Sequence, residues 1–336
     1  MKKQFLFGLL VLIVFTSCHV SKTYTVAFYN AENLFDTIDA PNKLDEEFTP
    51  GSQKKWDTPK YEKKISDLAH VISSIDSVNF PVLVGLCEVE NDHVLNDLVV
   101  NAQLKKAGYR YVWKDGPDIR GIDCALLYKP TIFKLKSYEM LPVKDPDNPD
   151  FKTRDIICVE GSIGGETFYV FVNHWPSRRG GEEISENKRI LAASVLRNKV
   201  DDIFAADSMA NIIIMGDFND EPSDSSVTVT LRALPDDRMP KSIDLIDLMY
   251  DEMKRGEGSY NYRGEWDMID NLIVSGSLIV KKKGLKTTLD DGYIFHKPFM
   301  EFVNSKGEMS PNRTYGRTYY GGISDHFPVY MTLTEN

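Results

Sequence analysis

Cysteine is scarce in this chain, and positive charge is outnumbered. Four cysteines are spread over 336 residues with no CxxC spacing, which excludes a zinc ribbon and a disulfide-dense scaffold. Forty Lys and Arg stand against fifty Asp and Glu, a formal net charge of −10. A surface of that sign repels polyanions at long range and argues against sequence-blind nucleic-acid binding through a basic patch. It leaves a nucleic-acid substrate open, because metal ions in a site invert the local field. No apolar run reaches the roughly 18 to 20 residues that a bilayer span needs. No segment has the composition of a disordered, collagenous or solenoid protein. The apolar share, 42%, and the charged share, 27%, are those of a globular protein of one large domain or two small ones.

The N-terminus stands apart. Lys2 and Lys3 precede an eleven-residue apolar stretch, FLFGLLVLIVF (5–15), and then Thr16, Ser17 and Cys18. A charged start, an apolar core and small residues before a cysteine resemble a bacterial lipoprotein signal. Residues 1–17 are expected to be cleaved and Cys18 lipidated. Residues 18–22 then form a short tether, and 23–336 the functional domain on the outer side of a membrane, periplasmic or at the cell surface. Loss of Lys2 and Lys3 takes the formal charge from −10 to −12. The remaining cysteines, Cys87, Cys124 and Cys158, sit in apolar runs and read as buried thiols, with a single disulfide left open.

Strand-like runs rich in Val, Ile, Tyr and Phe recur at 25–29, 80–86, 124–128, 168–172, 212–215, 272–274 and 328–333. Helical spacing of apolar residues appears over 60–75 and 187–207, the latter after Ser185 as a cap. His70, His93 and His296 have polar or helical surroundings and read as structural or exposed. With no break in composition along the interior, the expectation is one α/β domain.

The informative pattern is where the polar residues fall. The run at 25–29 leads into Asn30 and Glu32, and that at 80–86 into Glu88. The run at 168–172 leads into Asn173 and His174, and IIIMG into Asp217 and Asn219. Asp270 precedes 272–274, and Asp325 and His326 precede the last run. A lone Asp or Asn at a strand end is ordinary turn chemistry. Six strand ends carrying carboxylates, amides and imidazoles point instead to one rim of a sheet where a ligand binds. Hard oxygen donors dominate, which favours Mg²⁺ or Mn²⁺ over zinc.

YNAENLFD (29–36), GLCEVEND (85–92), RGIDCALLY (120–128), TRD (153–155), VNHWPSRRGG (172–181), GDFND (216–220), EWDMIDNLIVS (265–275) and SDHFPV (324–329) together resemble the endonuclease/exonuclease/phosphatase superfamily. That group includes deoxyribonuclease I, abasic-site endonucleases, neutral sphingomyelinases and inositol polyphosphate phosphatases. The resemblance runs in order over roughly 24–334. It implies a four-layered α/β sandwich, two mixed sheets packed face to face with helices outside. It implies metal-dependent phosphoester hydrolysis by direct attack of water. By the same resemblance Glu88, Asn30 and Asp325 belong to the metal site, and Glu32 is an acidic group behind it. Asp217 and Asn219 position water and phosphate. His326 is the base, oriented by Asp270, His174 assists the leaving group, and Arg154 contacts phosphate.

The chemistry is consistent on its own terms. A divalent cation and an arginine draw charge off the phosphate, and a histidine titrating near neutrality takes the proton of water once a carboxylate fixes its tautomer. The expected function is a phosphodiesterase in the cell envelope, an endonuclease first and monomeric. A phosphatase or lipid phosphodiesterase using the same residues is the alternative, and a non-catalytic binding protein the third reading.

Overall fold

The computed structural model describes residues 21–235 and 239–335. The expected signal, Cys18 and the start of the tether lie outside the described residues. Along the chain come β1 (Thr23–Leu34), α1 (Thr58–Ile75), β2 (Leu83–Val89), α2 (Asp92–Val100), β3 (Arg110–Trp113) and β4 (Asp123–Tyr128). They are followed by β5 (Lys134–Leu141), β6 (Ile156–Ile163), β7 (Glu166–His174), α3 (Glu182–Ala206) and β8 (Asn211–Asp217). After these stand β9 (Ala233–Leu234), β10 (Leu245–Asp247), α4 (Tyr250–Lys254), and a hairpin of β11 (Tyr260–Tyr262) and β12 (Glu265–Asp267). The chain ends with β13 (Asp270–Ser275), α5 (Ser277–Val280), β14 (Leu285–Lys286), β15 (Tyr293–Ile294), a second hairpin of β16 (Glu301–Val303) and β17 (Met309–Pro311), and β18 (Val329–Glu335).

One sheet runs β14-β18-β1-β2-β4-β3, with β15 also on β18, and the other β5-β6-β7-β8-β13-β10-β9. Strand alternation builds the layers. Val26 and Phe28 of β1 and Ile213 and Met215 of β8 meet in the core between the sheets. Tyr29 and Ala31 face the other way, onto Ile65, Leu68 and Ile72 of α1. Ile212 and Ile214 pack on Ala193, Leu196 and Val200 of α3. Helix, sheet, sheet and helix make the four-layered sandwich that the sequence implied. The IIIM run is apolar throughout because both faces of β8 are covered.

Two local expectations need correction. The long helix starts at Glu182 with Gly181 as its N-cap, and Ser185 lies inside its first turns, where its hydroxyl donates to the Gly181 carbonyl at 2.8 Å. β1 does not stop at Tyr29 but runs on to Leu34, so Asn30 and Glu32 lie within the strand, beside a break in its register with β2. α1 begins at Thr58, capped by Asp57, whose side chain accepts from the Lys60 amide. Cys87, Cys124 and Cys158 are buried free thiols. Among the described residues no helix is long and apolar enough to cross a membrane.

Two buried polar contacts brace the frame around the rim. Arg189 of α3 meets Asp220, just after β8, at 2.6 Å with both side chains almost wholly buried. Asp123, at the start of β4, accepts from the Gly116 amide at 3.1 Å and so pins the loop that carries Arg120. Burial pushes the Asp123 carboxyl up to about 7; the Gly116 amide and Lys43 oppose the rise, and Asp115 and Asp118 add to it.

We predict that Arg189→Met, which strands the Asp220 charge, lowers unfolding free energy by about 3–5 kcal/mol, read by urea denaturation. A loss under about 1 kcal/mol would show that the pair braces nothing. Asp123 gives a pH signature. Its folded-state value lies above its ordinary 3.8, so its favourable contribution is complete below about pH 4 and fades as pH rises through 7. Asp123→Asn keeps an acceptor for Gly116 and removes that fade. The variant should gain on wild type as pH rises from 4 to 7, by at most about 1.4 kcal/mol for each step of one in pH. Parallel stability curves would refute it.

Candidate active site

Three adjacent strands set the first residues. β7 and β8 run parallel with His174 opposite Asp217, and β8 and β13 antiparallel with Asp217 opposite Asp270. His174, Asp217 and Asp270 therefore stand on one rung of one sheet. Gly216 permits the spacing, since a Cβ there would lie 2.5 Å from the Asn173 carbonyl oxygen. The facing sheet supplies the others. β1 and β2 run parallel and carry Asn30 and Glu88, while the turn before β18 brings Asp325 and His326. Ser324 locks that turn, its hydroxyl donating to the Asn30 carbonyl at 2.7 Å and accepting from the His326 amide at 3.1 Å.

Strand ends here carry unusual backbone. Glu32, Asn33, Glu88 and Asn219 all have positive φ, between +47° and +59°, a region that non-glycine residues avoid at a cost of order 1 kcal/mol each. The left-handed turns of β1 and β2 coincide with the shift in their register. They bring the Glu88 carboxylate to the Asn33 amide at 2.8 Å, and the Asn219 turn folds its amide onto Asp217 at 2.9 Å.

The centre is tightly connected. His326 Nδ1 lies 2.6 Å from Asp270 Oδ2. Asp217 Oδ2 accepts from Asn30 Nδ2 at 3.0 Å, and the same amide lies 3.4 Å from His326 Nε2. His174 Nε2 and His326 Nε2 stand 3.7 and 3.9 Å from Asp217 Oδ2. Asp325 Oδ1 is 4.0 Å from His326 Nε2. Burial opposes the His326 charge, but Asp270, by field and hydrogen bond, then Asp217 and Asp325, hold its pKa at about 10. Burial lifts Asp217 to about 7, with His326 opposing and Asp270 adding. His174 goes the other way: burial first, then the charges of Arg154, Arg120 and His326, hold it well below its ordinary value, so it is neutral at pH 7. Its Nδ1 is buried with no partner among the described residues.

These side chains floor a cleft of about 780 Å³ that also reaches Arg120, Arg178 and Arg179. Tyr260, Tyr262, Glu265 and Asp267 of the β11–β12 hairpin form another part of its wall. Tyr260 lies against His326 with ring centroids 4.8 Å apart. Arg178 is held by the Asn219 carbonyl at 2.7 Å and Asp224 at 3.0 Å.

Asn30, Glu88, His174, Asp217, Asn219, Asp325 and His326 all line this cleft, with Asp270 directly behind His326. Arg154, expected to contact phosphate, does not reach it. Arg154 is spent on the carbonyls of His174 (3.1 Å) and Trp175 (2.5 Å) and on Asp118 (3.0 Å). It holds the His174 loop rather than a phosphate, and Arg120 faces the cleft instead. Glu32 accepts from the amides of Thr314 and Tyr315 at 2.5 and 3.2 Å. Burial and Asp325 raise its carboxyl to about 7 against Lys64, the Thr314 amide and Arg313. Lys64, buried on α1, completes the brace by donating to Thr314 Oγ1 at 2.7 Å and to the Ile323 carbonyl.

The donors available to a cation are chiefly hard oxygens. Asn30, Glu88, Asp217 and Asp325 share one cleft, a set suited to Mg²⁺ or Mn²⁺. Ligand atoms within 4.8 Å of one another combine Asp217 with Asp270 and His326, or with Cys87 and His174; Glu88 and Asp325 belong to neither group. Burial raises the Cys87 thiol well above its ordinary value, so it stays protonated and is a poor ligand.

No curated protein matches the chain in sequence. Among solved structures, a humanized TDP2 from D. rerio superposes with a TM-score of 0.57 at 15% identity, covering 93% of this chain and 98% of that one. An endonuclease/exonuclease/phosphatase family protein from Bacteroides thetaiotaomicron gives 0.55 at 15%, covering 94% and 96%. A mannosyl-6-phosphatase from the same organism gives 0.54 at 18%, covering 92% and 99%. Likeness at such identities establishes the fold. The sequence model of the Endonuclease/Exonuclease/phosphatase family, whose members are hydrolytic phosphoesterases that generally use a divalent metal, matches residues 25–335. Spanning nearly every described residue, from the first core strand to the last, that match makes the chain a member of the Endonuclease/Exonuclease/phosphatase family.

Proposed function

We propose that the chain is a divalent-metal-dependent phosphodiester hydrolase acting on nucleic acid, a monomeric endonuclease held in the cell envelope by lipid on Cys18. One observation carries the catalytic reading: a single carboxylate oxygen, Asp217 Oδ2, is faced by both His174 at 3.7 Å and His326 at 3.9 Å. Two imidazoles about one acid supply one group for the attacking water and one for the departing oxygen. Water adds to phosphorus and gives its proton to His326 Nε2 in the ring's neutral form, which a cation bound among the carboxylates that raise its pKa to about 10 would favour, while Asp270 holds Nδ1–H and steadies the imidazolium that forms. Asp217 and Asn219 orient the water and the phosphate. His174, neutral, hydrogen-bonds the leaving oxygen, which takes a proton from solvent water as its bond to phosphorus breaks. Arg120, Arg178 and Arg179 offset phosphate charge. Asn30, Glu88 and Asp325 would hold Mg²⁺ or Mn²⁺, which when bound withdraws charge from the phosphoryl oxygens.

A second reading, a phosphatase for a sugar or inositol phosphate, has its own support. Glu265 and Asp267 on the cleft wall suit hydroxyl groups better than a further phosphate. The likeness to a mannosyl-6-phosphatase points the same way.

The protein beginning after Cys18 should nick supercoiled plasmid with Mg²⁺ and stop when chelator is added. His326→Ala should lose about 10²–10⁴-fold in rate, which also controls for contaminating nuclease. An intact plasmid beside phosphate released from sugar or inositol phosphates, or headgroup from phospholipid, would replace the substrate and keep the site. Cys18→Ala in the full chain is expected to move the protein from the membrane to the soluble fraction. Unchanged fractionation would remove the lipid anchor from the account.

A further inference from the structure

The β11–β12 hairpin turns at Arg263 and Gly264, whose φ values are +55° and +95°. A two-residue hairpin turn with both residues left-handed is normally filled by Asn-Gly or Asp-Gly. Arginine has no backbone advantage there, and a non-glycine residue held in that region costs on the order of 1 kcal/mol. Its side chain is the feature that would offset the cost. The guanidinium lies over the Tyr262 ring, 4.9 Å from its centroid. Among the described residues, no carboxylate stands within ion-pair distance of it.

Arg263 lines a cavity of about 300 Å³ between the two hairpins, together with Asn261, Phe302, Asn304, Arg313 and two carboxylates, Asp325 and Glu308, the latter accepting from Asn304 Nδ2 at 2.7 Å. Asp325 lines the catalytic cleft as well, so the two spaces adjoin across one side chain. Arg313 gives Nη2 to Asp325 at 2.6 Å and borders the cavity. Phe302 is 54% exposed, an aromatic surface with no structural need to face solvent. Arginines therefore stand at two places about the catalytic groups: Arg120, Arg178 and Arg179 in the cleft, and Arg263 and Arg313 beyond Asp325.

We infer that this cavity is a subsite for a second phosphate of the substrate, next along the chain from the one cleaved. Arg263 and Arg313 meet its oxygens, and Phe302 offers a stacking surface to the adjoining base or sugar. The inference rests on the phosphodiesterase reading and narrows it to a substrate with more than one phosphate. It also explains how a protein of net charge −10 could take a polyanion: the contacts are local, and long-range attraction is not required.

The test compares kcat/KM on a short oligonucleotide with that on bis(4-nitrophenyl) phosphate, which has one phosphate, for wild type, Arg263→Asn and Arg263→Lys. Asparagine suits the left-handed turn, so the hairpin is retained, and an unchanged Tm would verify that. For Arg263→Asn the oligonucleotide should lose roughly tenfold, mainly through KM, and several times more than the single-phosphate diester. The slope of log(kcat/KM) against log salt should flatten by about 1. Arg263→Lys should recover part of the loss. Equal losses on both substrates, or none on the oligonucleotide, would overturn the subsite. Wild type hydrolysing neither compound would overturn the phosphodiesterase reading itself, a different and recognisable result.

Discussion

His174, Asp217 and Asp270 share a rung because β7, β8 and β13 are hydrogen-bonded in one register, and most of the site depends on that row. Side chains on neighbouring strands at one level sit about 5 Å apart, close enough to couple electrostatically without any loop having to be held in place. The second sheet then needs to bring only an amide and an imidazole to the row. Asn30 and His326 do so, each within 3.4 Å of the other. A slip of one residue in β8 would turn Asp217 into the opposite layer and bury Phe218 or Gly216 at the rim. Gly216 resists such a slip, because any residue with a Cβ in its place would set that atom 2.5 Å from the Asn173 carbonyl oxygen.

That arrangement is costly as a fold. Asp217, Asp270 and Asp325 crowd one imidazole, and four residues at the rim hold left-handed backbone. Burial raises Asp217 and Glu32 toward neutrality, which marks free energy withheld from stability at the place where a cation and an anion would meet. The compensation lies outside the cleft. Arg189 with Asp220, Arg154 with Asp118, and Lys64 under the Thr314–Ile323 turn are buried cations that tie helices and loops to the catalytic strands.

Much of this is legible in the chain. The strand-end positions of Glu88, His174, Asp217, Asp270 and His326 can be read because each continuous apolar run starts or stops abruptly beside a polar residue. Family membership and the four layers follow from the same motifs. Arg154 is not legible. TRD marks an arginine near the site, but whether it faces phosphate or backbone carbonyls depends on Asp118, which comes from a loop with no pattern of its own. Lys64 does leave a signal. It falls with Tyr61, Ile65 and Leu68 on the apolar stripe of α1, and a lysine on such a stripe needs a buried partner. Arg263 can be read only once the hairpin is known, because the conformation of its turn is what makes an arginine there unusual.

The pairing of β1 with β18 along Thr23–Phe28 and Val329–Thr334 has a consequence in time. The polypeptide is made from the N-terminus, so Asn30 is joined 296 residues ahead of its neighbour His326. β1 in the first sheet lacks one of its two neighbours until β18 emerges, and contacts of such separation close slowly. The cleft that Asn30 and His326 share is therefore complete only once β18 has paired with β1.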